Sequence, residues 1–200
     1  MRAAQCLDTD DMHKMLFLGY DKSQTRLIEH IETWGWHVEQ AQEKVEDFSA
    51  YDLVVSFGYK HILGATALST TKRPILNLHI SYLPWNRGAH PLFWAAYDQS
   101  PIGVTIHEIA QGVDTGPICF QKRVNIDQDR ETFASGYKRL IDEIESLFEQ
   151  NTQDILAGNY TRQPQQGNGS VKRVNDLPSS FEWSDNIANT IKKLKRNADV

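Results

Sequence analysis

Between Met15 and Gln150, short apolar runs of strand length alternate with stretches of helical periodicity, and this alternation admits few architectures. Met15-Leu-Phe-Leu-Gly-Tyr20 reads as an opening strand, and Ser23 to Trp34 reads as a helix because Leu27, Ile28, Ile31 and Trp34 recur at helical spacing. Trp36 to Val38 starts a second strand, Leu53-Val-Val-Ser-Phe57 is a third, and Pro74-Ile-Leu-Asn-Leu78 is a fourth. His90 to Tyr97 suits a short helix with Pro91 in its first turn, followed by strands at Gly103 to His107 and Pro117 to Val124. Glu131 to Gln150 predicts a long amphipathic helix with Phe133, Tyr137, Leu140, Ile141, Ile144 and Phe148 on one face. Strands separated by helices pair in parallel through right-handed crossovers, so the expected class is α/β with a Rossmann-like, open, mostly parallel sheet.

The flanking segments differ in character. Residues 1–14 are polar and lack the basic start and apolar centre of a signal peptide, so they read either as a loose N-terminal extension or as sequence upstream of a start at Met12 or Met15. The core is expected to span 15–158 and a C-terminal appendage 159–200. In the appendage, Tyr160-Thr-Arg-Gln and Ser170-Val-Lys-Arg-Val are weakly alternating segments that predict a hairpin turning at Gln166-Gly-Asn-Gly169, followed by a helix over 184–196. An exposed hairpin edge is a ready surface for a homodimer.

Two hundred residues with a net charge of −5 lack the basic footprint that phosphate backbones demand, which excludes a nucleic-acid partner. The Lys192-Lys193-Leu-Lys195-Arg196 cluster reads as a solvated helix face. No apolar run approaches the roughly 18–20 residues that a membrane span requires. Cys6 and Cys119 form no disulfide framework, which fits a reducing cytoplasm, and neither has an activating neighbour in sequence.

In an open parallel sheet, ligands bind beyond the carboxyl ends of the strands. Asn77 and His79 stand at such an end, two residues apart and hence on one side of the strand, just before the loop Leu83-Pro-Trp-Asn-Arg-Gly-Ala-His-Pro91. Asp114 sits in the turn Gly112-Val-Asp-Thr-Gly-Pro117. An amide that donates to an oxyanion, an imidazole that takes a proton and a carboxylate that orients it make a catalytic set. Taken singly, each also fits a turn former or surface residue, and His107 reads as packed within its strand. The histidines show no metal-ligand spacing, so no metal is expected.

Asn77-Leu-His79, Ser81-Tyr-Leu-Pro84, Gly103-Val-Thr-Ile-His107 and Asp114-Thr-Gly-Pro117, in that order, resemble the formyltransferases that use 10-formyltetrahydrofolate. The resemblance covers Met15 to Gln150. It implies that Asn77, His79 and Asp114 are catalytic and that Phe57, Tyr59, His61, Ile62 and Leu63 hold the folate. Gln111, Val113 and Asp114 would form the second wall of that pocket. The implied chemistry is acyl transfer from 10-formyltetrahydrofolate to a primary amine.

Departures within the family narrow the acceptor. Gly19-Tyr-Asp-Lys-Ser-Gln-Thr25 is a poor phosphate nest beside the glycine-rich loop of the glycinamide ribonucleotide enzymes. The basic domain of the enzymes that act on initiator tRNA is not present in this sequence. Asn77 through Trp94 is similar to the enzymes that formylate an amino sugar on a nucleoside diphosphate, for bacterial surface polysaccharide such as O-antigen. That resemblance implies that Tyr82, Trp85, Asn86, Arg87 and Trp94 meet the nucleotide-linked amino sugar. A glycinamide ribonucleotide type, a formyltetrahydrofolate hydrolase and a folate-binding relative stay open as alternatives.

Overall fold

The computed structural model describes residues 12–178 and 181–198; most of the expected N-terminal extension, with Cys6, lies outside the described residues. The α/β class with a mostly parallel sheet, expected from the alternation, is the class observed. The chain divides into two compact units that meet between Ile75 and Leu76.

In the first unit, strand β1 (Lys14–Gly19) pairs in parallel with β2 (His37–Ala41) and β3 (Leu53–Phe57). Every side chain of β3 and all but the first of β1 are buried, the continuous apolar pattern of strands covered on both faces. Helix α1 (Leu27–Thr33) buries Leu27, Ile28 and Ile31, whereas Trp34 caps its end and is exposed. A short helix α2 (Ala65–Leu68) follows β3.

In the second unit, β4 (Leu76–His79) pairs with β6 (Gly103–Glu108), which pairs with β7 (Ile118–Arg123), both antiparallel. Between β4 and β6 lie the two-residue strand β5 (Arg87–Gly88) and helix α3 (Pro91–Asp98). Helix α4 (Phe133–Gln150) starts at a reciprocal cap: the Thr132 hydroxyl accepts from Ser135 N–H and the Ser135 hydroxyl accepts from Thr132 N–H. It buries Phe133, Leu140, Ile144, Leu147 and Phe148, with Tyr137 and Ile141 at the margin of that face, and packs on β6, β7 and α3. Helices α5 (Thr152–Ala157) and α6 (Ile187–Ala198) complete the unit.

The expected C-terminal helix is α6, but the two alternating segments do not pair with each other. Gln163 bridges to Ile118 at the start of β7, and β8 (Val171–Lys172) runs parallel to β5. Each segment finds a better partner in an unpaired stretch of the core than in the other, so the hairpin that supported a dimer edge is absent.

Candidate active site

Strand β4 alternates cleanly. Leu76 and Leu78 point into the core while Asn77 and His79 share the opposite face. The antiparallel register sets His107 directly across from Asn77, and Thr105 across from His79. Cross-strand partners share a face, so an imidazole arrives beside the amide.

Asp114 is brought in by the turn between β6 and β7. Its backbone is left-handed, at φ 49°, a conformation Asp tolerates, and the turn is tied by Glu108 N–H donating to the Pro117 carbonyl. A Cβ on Gly116 would sit 1.7 Å from the Glu108 carbonyl oxygen, so only glycine allows this close return. The carboxylate Oδ2 accepts from Gly88 N–H at 2.8 Å and lies 3.5 Å from His79 Nε2. Oδ1 lies 3.4 Å from Asn77 Nδ2 and 3.5 Å from His107 Nε2. The three expected catalytic groups therefore converge, and His107 joins them.

The Nε2 of His79 also faces the Asn86 carbonyl at 3.4 Å. Both neighbours of Nε2 only accept, which assigns the proton of the neutral ring to Nε2 and leaves a basic lone pair on Nδ1. Burial of the ring lowers its pKa; Asp114 opposes this, His107 adds to it, and the net direction is downward. For Asp114, burial works to raise the pKa, but His79, His107 and the Gly88 N–H outweigh it and hold the carboxyl well below the usual range. At neutral pH the site presents an unprotonated imidazole beside a carboxylate, ready to stabilise an imidazolium.

The expected substrate residues divide. Tyr82 and Trp85 stack at 6.2 Å, with Trp85 exposed and the Arg123 guanidinium over Tyr82. Asn86 is fully buried in left-handed backbone; its amide donates to the Ser100 hydroxyl at 2.7 Å and its oxygen accepts from Ser170. Its side chain closes the loop, and only its backbone carbonyl reaches the site. Trp94 is likewise buried on α3, its ring face under the Lys172 ammonium. The Arg87 guanidinium donates twice to the Gln165 carboxamide oxygen, at 3.0 and 2.7 Å, and among the described residues it faces no carboxylate.

The residues expected to hold folate lie in both units. In the first, Phe57 is buried at the end of β3, Tyr59 is fixed by its hydroxyl to Glu43 and Val45, and His61 packs edge-on against Tyr59. Leu63 is half-buried, whereas Ile62 is 84% exposed, so it is no core residue. In the second, Gln111 and Val113 are exposed on the turn that carries Asp114.

The sequence left His107, Gln165 and Ser170 out of the site. Gln165 donates to the carbonyls of Asp114 and Gly116, at 2.7 and 2.8 Å, and so locks the Asp114 turn. Ser170 accepts from Asn86 N–H at 2.8 Å. Period-two alternation would have placed His107 on the face of Thr105, but only the β4–β6 register sets that face beside Asn77.

The family described as formyl transferase matches residues 22–152. The dTDP-4-amino-4,6-dideoxyglucose formyltransferase of Mycobacterium tuberculosis H37Rv is 32% identical over 137 residues, 68% of this chain and 57% of its own length. The chain thus spans little more than half of that relative. The methionyl-tRNA formyltransferase of Thermotoga neapolitana is 41% identical over 92 residues, 46% of this chain and 29% of its own. Among solved structures, the formyltransferase PseJ from Anoxybacillus kamchatkensis, in complex with UDP-4,6-dideoxy-4-formamido-L-AltNAc and tetrahydrofolate, is 34% identical. It superposes with a TM-score of 0.82, over 90% of this chain and 98% of that one. With Asn77, His79 and Asp114 convergent and residues 22–152 matched by that family, the chain belongs to the formyl transferase family.

Proposed function

We propose that this protein transfers the formyl group of 10-formyltetrahydrofolate to the primary amine of a nucleotide-linked amino deoxysugar, with Asn77, His79 and Asp114 catalytic. The observation that carries the reading is the meeting of Asn77 and His79 on Asp114, at 3.4 and 3.5 Å. The neutral amine attacks the formyl carbon and a C–N bond forms. Asn77 donates to the resulting oxyanion. His79 takes the amine proton at Nδ1, Asp114 steadies the imidazolium, and the bond from carbon to N10 breaks as that proton passes to N10. The products are a formamide and tetrahydrofolate, so atoms and charge balance.

A nucleotide sugar is supported as acceptor by PseJ, which holds a UDP-linked 4-formamido sugar. Arg87 supports it too, because a guanidinium that meets a neutral amide and, among the described residues, no carboxylate keeps its charge for a diphosphate. Tyr82 and the exposed Trp85 offer a stacking face, while Gln111 and Val113 are exposed candidates for folate contact beside Asp114. The reading places the reaction in the cytoplasm, in the supply of formamido sugars for surface polysaccharide; among the described residues no helix is long and apolar enough to cross a membrane.

The test mixes the protein with 10-formyltetrahydrofolate and a panel of UDP- and dTDP-linked amino sugars, following tetrahydrofolate release and the added formyl mass. Release without an acceptor would identify a hydrolase, and no release with any amine a binding protein. Because burial lowers the His79 pKa from 6.5, kcat is expected to hold constant through neutral pH and to fall on acidification below about 6.5, as the base becomes protonated. An acid limb centred above pH 7 would remove His79 as the base.

Gln165→Leu strips the donors from two carbonyls in the Asp114 turn and the acceptor from Arg87. It is expected to lower stability by about 1–3 kcal/mol in urea denaturation. It should also raise the KM of the nucleotide sugar, since Arg87 loses its support. Unchanged values for both would mean that the turn and Arg87 hold themselves.

A further inference from the structure

His107 is 1% exposed, and the mechanism above gives it no task. Its two ring nitrogens have opposite partners. Nδ1 lies 2.9 Å from the Glu108 carbonyl, which only accepts, so Nδ1 carries the ring proton. Nε2 is then a lone pair, and it lies 3.1 Å from the Asn77 Nδ2, a donor. Nδ2, Nε2 and Asp114 Oδ1 form a nearly equilateral triangle with sides of 3.1, 3.4 and 3.5 Å. Seen from Nδ2, the two acceptors are separated by about half the divergence of two amide hydrogens. The two acceptors are close enough together for one hydrogen to serve both, an arrangement that leaves the second pointing away from them.

We propose that His107 is a positioning residue that fixes the orientation of the Asn77 carboxamide, reserving its outward N–H for the oxyanion of the tetrahedral intermediate. A carboxamide can turn over at little steric cost, because its oxygen and nitrogen are nearly the same size. Turned over here, Oδ1 would face the Nε2 lone pair and the Asp114 carboxylate together, two contacts between acceptors in a buried place. Without the imidazole, only the longer contact to Asp114 resists that turn. Histidine suits the position because its far nitrogen can donate to the Glu108 carbonyl while the near one accepts.

The proposal rests on the acyl-transfer reading, and its first test does not need turnover. In protein labelled with 15N-histidine, at a pH where the wild type is active, His107 is expected to show a protonated Nδ1 and a bare Nε2. A protonated Nε2 overturns the proposal. In kinetics, His107→Leu is expected to lower kcat by about 10–100-fold with each KM within about threefold. His107→Gln, whose Oε1 can take the place of Nε2 as acceptor, should recover at least about tenfold of that loss if the loss reaches the upper part of the range. In an Asn77→Ala background, His107→Leu should change kcat by less than about threefold, because its effect runs through the amide. Additive losses overturn the proposal. Should His107→Leu fail to fold, His107→Gln decides: kcat within about tenfold of wild type supports the proposal, and abolished activity overturns it. If the wild type formylates no amine, the acyl-transfer reading fails while the tautomer still decides the orientation of Asn77.

Discussion

Replacing His79 by alanine is expected to lower kcat by roughly 10²–10⁴-fold, the span usually associated with a positioned general base. Affinity for tetrahydrofolate should stay within about threefold, since the side chain removed acts on the amine proton rather than on the folate. The size follows from the environment of the ring. It is buried, unprotonated and flanked by the Asp114 carboxylate and the Asn86 carbonyl, so no water from bulk substitutes readily for it. Stopped-flow single turnover with 10-formyltetrahydrofolate and an accepted amino sugar isolates the chemical step. Turnover within tenfold of wild type would show that the amine loses its proton elsewhere, and the site would then need a different base.

Gly116→Ala carries the second large effect, this time on stability. The added Cβ would fall 1.7 Å from the Glu108 carbonyl oxygen and 2.7 Å from its carbon. Backbone cannot step aside as the end of a flexible side chain can, so either the β6–β7 connection opens or Asp114 is displaced. A loss of about 3 kcal/mol is expected from such overpacking, measured by urea or thermal denaturation, together with a fall in kcat as Asp114 leaves His79. A variant that unfolds at the wild-type midpoint and retains activity would mean that the turn has slack its contacts do not show.

Much of this site could be read from the sequence, and the reasons differ by residue. Asn77 and His79 were legible because alternation within one strand sends residues two apart to the same face, whatever the strand pairs with. Asp114 alone reads as a turn former between its glycines, and only the resemblance carried by the ordered motifs singles it out. His107 was not, because its alternation permits either a packed or a functional face, and only the antiparallel register of β4 with β6 decides between them. A helix separates those two strands in sequence, which led to the expectation of parallel pairing. The resemblance implied substrate contacts at Asn86 and Trp94, but both side chains are packed, one satisfied by Ser100 and Ser170 and the other beneath Lys172. Gln165 and Ser170 lie in a polar stretch of low periodicity, where a local reading sees only turns. Their partners are 51 and 84 positions away, beyond the reach of any windowed pattern.

Those distances bear on how the protein is made. A nascent chain that has emerged only as far as the end of α4 already holds Asn77, His79, His107 and Asp114, but not the amide that pins the Asp114 turn or the hydroxyl that seats Asn86. Translation proceeds at roughly 5–20 residues per second, so on the order of seconds separates the appearance of these four side chains from the arrival of the segment that ties the Asp114 turn and Asn86. The candidate site is thus completed late in synthesis, once residues 163–172 have left the ribosome and β8 has paired with β5.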